Sequence, residues 1–173
     1  MKKRYILLLI ILAILVIGFT IPQRIVMPVF GATKKDYNSN SFWYYPWGKS
    51  ITHKGVDIFA EEGAKLHSSV NGLVIYSGVF RDGGNVILIL GPKWRFHYYA
   101  HLKSNSVKTF SIVSKSKVIG YVGSSGNAKG KPAHLHYSIM TPFPYFWKID
   151  NSRQGWKKMF YLNPIKYLED GEK

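Results

Sequence analysis

The chain has 173 residues, 24 of them basic and 9 acidic, for a formal charge of +15 at pH 7. The length suits one domain, and a composition of 46% hydrophobic and 19% charged residues excludes a disordered polyelectrolyte. Cysteine is absent, which excludes a disulfide framework, a cysteine nucleophile and a thiolate metal site. Any metal must therefore be held by the six histidines and nine acids.

Lys2, Lys3 and Arg4 precede an uncharged apolar run from Tyr5 to Ile21. Its 17 residues sit at the lower edge of the ~17–25 that span a bilayer as a helix. The basic cluster keeps the N-terminus cytoplasmic and exports the rest. A cleaved signal peptide competes with this reading, but it expects small residues soon after the apolar run. Thr20, Ile21, Pro22, Gln23 and Arg24 stand there instead, so a signal anchor over residues 1–21 is expected. The expected topology is a single pass, with the working domain in the periplasm or cell-wall space. Without Lys2, Lys3 and Arg4 the remaining charge is still +12. For an exported domain this suits anionic wall polymers better than nucleic acid, or simply a solvated basic surface.

Residues 22–41 read as a linker, with two prolines, the run Lys34-Lys35-Asp36 and the polar stretch Asn38-Ser39-Asn40-Ser41. From Phe42 onward short apolar runs alternate with glycine-bearing turns. They are Gly72–Tyr76, Asn85–Leu90, Phe96–His101, Val118–Gly123 and Ala133–Met140. Runs of this length, rich in β-branched and aromatic residues, read as strands. The fold class is all-β, a largely antiparallel sheet. One short helix is expected near the C-terminus, with Asn163 as its cap and Pro164 in its first turn.

The histidines fall in suggestive places. His53-Lys54-Gly55-Val56-Asp57 is an H-x-x-x-D pattern in which a turn at Gly55 could fold both ends onto one ion. In His134-Leu135-His136 the two histidines project from one face of a strand while Leu135 points to the core. His101 ends a further strand. Two histidines and one aspartate suit zinc, which keeps a fourth position for water that can ionise near neutral pH. No glutamate lies beside any histidine, so the proton carriers are sought among the imidazoles.

These residues resemble the lysostaphin-type, or LytM-type, zinc peptidoglycan endopeptidases. The resemblance runs through His53-Lys54-Gly55-Val56-Asp57-Ile58, Glu62-Gly63-Ala64 and Asn71–Gly78, then Gly84-Asn85-Val86-Ile87 and Tyr99-Ala100-His101-Leu102. It ends with Val118–Gly126 and His134-Leu135-His136-Tyr137. The resemblance implies one zinc ion per chain held by His53, Asp57 and His136, with His101 and His134 as catalytic histidines. It implies a sheet with a groove for an extended peptide, and cell-wall peptidoglycan peptides as substrate. The peptidase domain is placed at 42–147 and a C-terminal extension, packed on or near it, at 148–173. A monomer is expected. Some relatives lack ligands and only bind wall or activate other hydrolases; no ligand is missing here.

The sequence departs from the family pattern at Ala133, usually proline, and Ser138, usually glutamate. The stretch Phe110–Lys117 lacks two of the family's glycine turns. His97 reads as a solvated strand residue, with a place in the groove as the alternative, and His67 as structural. Gly123-Ser124-Ser125-Gly126 reads as a turn and not a nucleophile elbow. The aromatic clusters Phe42–Trp47 and Phe143–Trp147 either cover the apolar sheet face or stack on sugar rings.

Overall fold

The computed structural model describes residues 3–171. Helix α1 (Lys3–Thr20) is followed by strands β1 (Val56–Phe59), β2 (Lys65–His67), β3 (Gly72–Val79), β4 (Asn85–Gly91), β5 (Arg95–Asn105), β6 (Ile112–Val113), β7 (Val118–Val122), β8 (His134–Met140) and β9 (Tyr161–Leu162). Helix α2 (Pro164–Gly171) closes the described chain. Every strand pairing is antiparallel. The main path runs β1-β8-β5-β4-β3-β6, with β7 bridging β5 to β2 and β9 lying beside β8.

Alternation explains the sheet. In β8, Leu135, Tyr137 and Ile139 are fully buried and pack with Val56, Ile58, Ile87, Ile89 and Tyr99 in one core. The β-branched residues of β4 supply the pleated surface that such packing favours. Asn163 caps α2 as its sequence suggests: its Oδ1 accepts the Ile165 N–H at 3.0 Å. Ile165 and Leu168 then bury on the core.

Helix α1 is 18 residues long, enough in length and composition to cross a membrane, and almost all of it is exposed. The chain then enters the domain at once. Ile25, Val29 and Tyr37 are buried members of the core. The Val26 N–H donates to Ser69 O, His67 N–H to Pro28 O and Phe30 N–H to Lys65 O. Residues 22–41, which read as a linker, thus run against β2. The C-terminal extension is equally integrated, because β9 pairs with β8 and Leu162 is buried.

His97 differs from its sequence reading. It is fully buried, not solvated. Gln23 Nε2–H donates to its Nε2 at 2.9 Å, and its Nδ1 lies 2.7 Å from the Tyr137 hydroxyl. Arg95 in turn donates to Gln23 Oε1. The ring is therefore neutral, with its proton on Nδ1, and it ties the chain leaving α1 to the sheet. Burial first, and the Arg95 charge second, push its pKa down to about 3.

Two predictions follow from this packing. Ile25→Ala should lower the unfolding free energy by roughly 2–5 kcal/mol, read by chemical denaturation; a free linker would show no change. Acid should also destabilise the fold. An unfolded His97 binds its proton near pH 6.5 and the folded one only near 3, so its stabilising contribution is complete above 6.5 and shrinks as pH falls. Between pH 6.5 and 5 the loss is about 2 kcal/mol. His97→Gln should flatten that slope of stability against pH by about one proton.

Candidate metal centre

The pairing of β1 with β8 sets Asp57 directly opposite His136, so both side chains leave the same face. His134, two residues before His136, shares that face. His53 arrives from the loop before β1. Its backbone is pinned to residues 43–44, with Trp43 N–H donating to His53 O at 2.6 Å and His53 N–H to Tyr44 O at 3.0 Å. Gly55 lets the loop lie flat against β8. A Cβ there would stand 2.5 Å from Ser138 Oγ and from Tyr137 O, and 2.9 Å from His136 Cε1.

Three ligand atoms converge. His53 Nε2 lies 3.0 Å from Asp57 Oδ1 and 3.1 Å from His136 Nδ1, and His136 Nδ1 lies 2.8 Å from Asp57 Oδ1. These three residues form a group able to hold a metal ion among the described residues. The far nitrogen of each ring is already engaged. His53 Nδ1–H donates to Ser41 O at 3.0 Å, and His136 Nε2–H donates to Ser138 Oγ at 3.0 Å. In those tautomers two imidazole lone pairs and a carboxylate oxygen point at one another, an arrangement that a shared metal cation would satisfy. Zinc with bonds of ~2.0–2.1 Å spaces tetrahedral ligand atoms about 3.3 Å apart, so the donor set fits with a small expansion.

The charges agree. Burial alone would raise the Asp57 pKa, but the hydrogen bonds and charge that His136 and His53 supply when protonated overcome it and hold the carboxyl well below its usual range, and a metal cation held by the same atoms would act in the same sense. Burial lowers the His136 pKa against the opposing pull of Asp57, so its ring tends to stay neutral and able to ligate.

His101 and His134 flank this cluster. Their rings lie 5.1 Å apart, and His101 is 6.0 Å from His136, centroid to centroid. His134 Nε2 lies 4.0 Å from Asp57 Oδ2. Both rings are anchored through Nδ1–H, to Ser125 O at 3.0 Å for His101 and to Pro132 O at 2.8 Å for His134. Each Nε2 is thereby left facing the site. His101 takes a left-handed backbone angle, φ +67°, where the pairing of β5 with its neighbours is irregular. For a non-glycine residue this is strained geometry of the kind found at functional sites. Burial, then the proximity of His136 and His134, lowers its pKa to about 4.

Of the aromatic walls, sequence reasoning offered Trp47 only as part of a cluster and missed Phe59 and Tyr98. Trp47 stacks on His53 at 4.2 Å, Phe59 lies 5.4 Å from His134, and Tyr98 meets His136 edge-on at 6.4 Å. The period-two rule could have found Phe59, two residues from Asp57. Tyr98 sits opposite Ser138, and burial raises its pKa to about 12. The glycine-serine turn is a turn, and Ser125 serves structure: its Oγ donates to Leu102 O and accepts from Asn85 N–H. Of the aromatic clusters, Trp43 is buried, with its indole N–H on Arg153 O, while Tyr44, Tyr45, Phe146 and Trp147 are exposed.

Comparisons place this geometry among known proteins. Residues 51–150 match peptidase family M23, and the five site candidates all lie inside that stretch. An L-Ala–D-Glu endopeptidase of Bacillus subtilis (strain 168) is 37% identical over 149 residues, covering 81% of this chain and 42% of the relative. Lysostaphin of Staphylococcus simulans is 32% identical over 99 residues, 56% of this chain and 20% of that protein. This chain thus spans about two fifths of the first relative's length and one fifth of the second's. The crystallised catalytic domain of lysostaphin from Staphylococcus simulans superposes with a TM-score of 0.62 at 25% identity, covering 78% of this chain and 94% of that one. With the family match extending over more than half of its residues, the chain belongs to peptidase family M23.

Proposed function

We propose that the chain is a membrane-anchored zinc endopeptidase that hydrolyses peptide bonds in bacterial peptidoglycan. The observation that carries this reading is the convergence of His53 Nε2, Asp57 Oδ1 and His136 Nδ1 with their other polar atoms already engaged. A Vibrio cholerae relative named as a peptidoglycan DD-endopeptidase, 30% identical over 88 residues, supports the substrate class, and the exposed apolar α1 supports the anchor.

His53, Asp57 and His136 would hold the zinc. When bound, zinc supplies a Lewis acid that polarises a carbonyl and lowers the pKa of water towards neutrality. The chain's own residues do the rest. His101 and His134 present Nε2 to the site, so one can accept a proton from water as the other, once protonated, donates to the developing oxyanion or the leaving amine. The hydrogen bonds to Ser125 O and Pro132 O fix both rings in the tautomer this needs. Ser138 holds His136 by its far nitrogen, the duty that orients ligand rings generally. Trp47, Phe59 and Tyr98 exclude water and give the peptide apolar walls. The likeness to an L-Ala–D-Glu endopeptidase over four-fifths of the chain makes that stem bond the first to assay.

The test is a digest of purified sacculi by the full chain in detergent with zinc, followed by mass spectrometry of soluble fragments. Wild type should release fragments ending at a stem-peptide bond, and His136→Ala should release none and lose its zinc. Fragment release by a zinc-free His136→Ala protein would overturn the reading. His101→Ala and His134→Ala should keep zinc but lose at least about 100-fold in rate, the scale of general acid–base catalysis. Ser138→Ala should weaken zinc affinity by roughly 10–100-fold, read by competition with a chelator.

A further inference from the structure

The turn between β4 and β5 takes no part in this chemistry, yet it is unusually built. Pro92 begins it, and Lys93 and Trp94 both adopt left-handed backbone angles, φ +60° and +57°. Two successive non-glycine residues in that region are strained. The strain is offset by a contact with α1. The Trp94 indole lies where a side chain would stand at Gly18: a Cβ there would be 2.2 Å from Trp94 Cε2. Gly18 is the buried residue of α1, and the Trp94 Nε1–H donates to Leu15 O at 2.9 Å. A second contact sets Phe19 edge-on to Phe143 at 4.9 Å.

We propose that this turn, together with segment 143–147, docks the domain onto the outer surface of the bilayer that α1 crosses, with Trp94 seated at headgroup level. The proposal rests on the reading of α1 as a membrane span. Leu15 and Gly18 stand two to five residues before the end of α1, a depth of about 3–8 Å at 1.5 Å per residue. That is the interfacial layer where tryptophan concentrates, its ring in the apolar zone and its N–H satisfied. Here the N–H is satisfied by the helix itself. Phe146 and Trp147 continue the surface, 64% and 77% exposed, with Trp147 stacked on Tyr145. Cations stand beside it, with Lys93 in the turn and Arg24 and Lys115 lining a crevice with Pro22 and Pro92. Apolar rings next to cations match the layering of acyl chain and phosphate at a lipid surface. Docking also fixes the height of the site, because β5 leads from the turn to His101 in about 20 Å of strand.

The absence of cysteine makes the test clean. Lys93→Cys and Phe146→Cys, made singly in the full chain, would carry an environment-sensitive fluorophore in vesicles of phosphatidylcholine and phosphatidylglycerol. Val79→Cys is the control: it is exposed and pairs with Asn85, at the other end of the β3–β4 hairpin from Gly91. Nitroxides carried near the lipid headgroup should quench the labels at 93 and 146 at least about twofold, and leave 79 unchanged. Gly18→Leu, which fills the notch, should abolish the quenching at 146 while the chain still resists carbonate extraction. Carbonate-resistant chain with all three labels equally unquenched would overturn the docking and leave the anchor standing. Labels shielded from a water-soluble quencher yet unreached by lipid nitroxides would overturn it in favour of a protein partner. Chain extracted by carbonate would remove the membrane reading itself, and the proposal with it.

Discussion

The register between β1 and β8 is the constraint from which the site descends. It puts Asp57 opposite His136, and the antiparallel pleat then aims both side chains at one point. A slip of one residue would turn Asp57 into the core and bring out Ile58, which is fully buried. The core thus defends the site: Ile58, Leu135 and Tyr137 cannot be exposed without losing the packing that holds the sheet. Gly55 completes the device, since any side chain there would press on His136, Ser138 and the β8 backbone.

Around that register the hydrogen bonds divide the labour among five imidazoles. Four of them, His53, His101, His134 and His136, face the site with one nitrogen and are held from behind through the other. The anchors differ: backbone carbonyls for three, and a serine hydroxyl for His136. The fifth, His97, is neutral and buried, serving only to join Gln23 and Tyr137. One residue type thus meets different surroundings, and the partners on the two ring nitrogens, more than burial, tell them apart: His53 is as buried as His97.

This explains what the sequence did and did not disclose. Local spacing is visible in a string of letters. His53 and Asp57 four apart, His134 and His136 two apart, alternating strands and the Asn163-Pro164 helix start all follow from short-range rules. Contacts between distant residues are not visible in this way. His97 looked solvated because its partners are 74 and 40 residues away. Ile25 and Val29 sit in a short, proline-bearing stretch with no strand period, so nothing local marked them as core. Trp47 stacks on His53 only because the backbone of residues 43–44 bonds to that of His53. The polar replacement at Ser138 was legible as a departure, and the structure gives it a task that a hydroxyl can perform.

The brevity of the exit from α1 has its own consequence. Only two residues separate Thr20 from Gln23, whose side chain already bonds to His97 of β5. A long flexible leash would let a catalytic domain sample a deep volume of wall. With this exit the reach is set by the domain itself, about 40 Å for its size. With α1 spanning a membrane as proposed, substrate would be met by lateral diffusion in a plane, and the rate of encounter would scale with membrane area and not with the volume of wall above it.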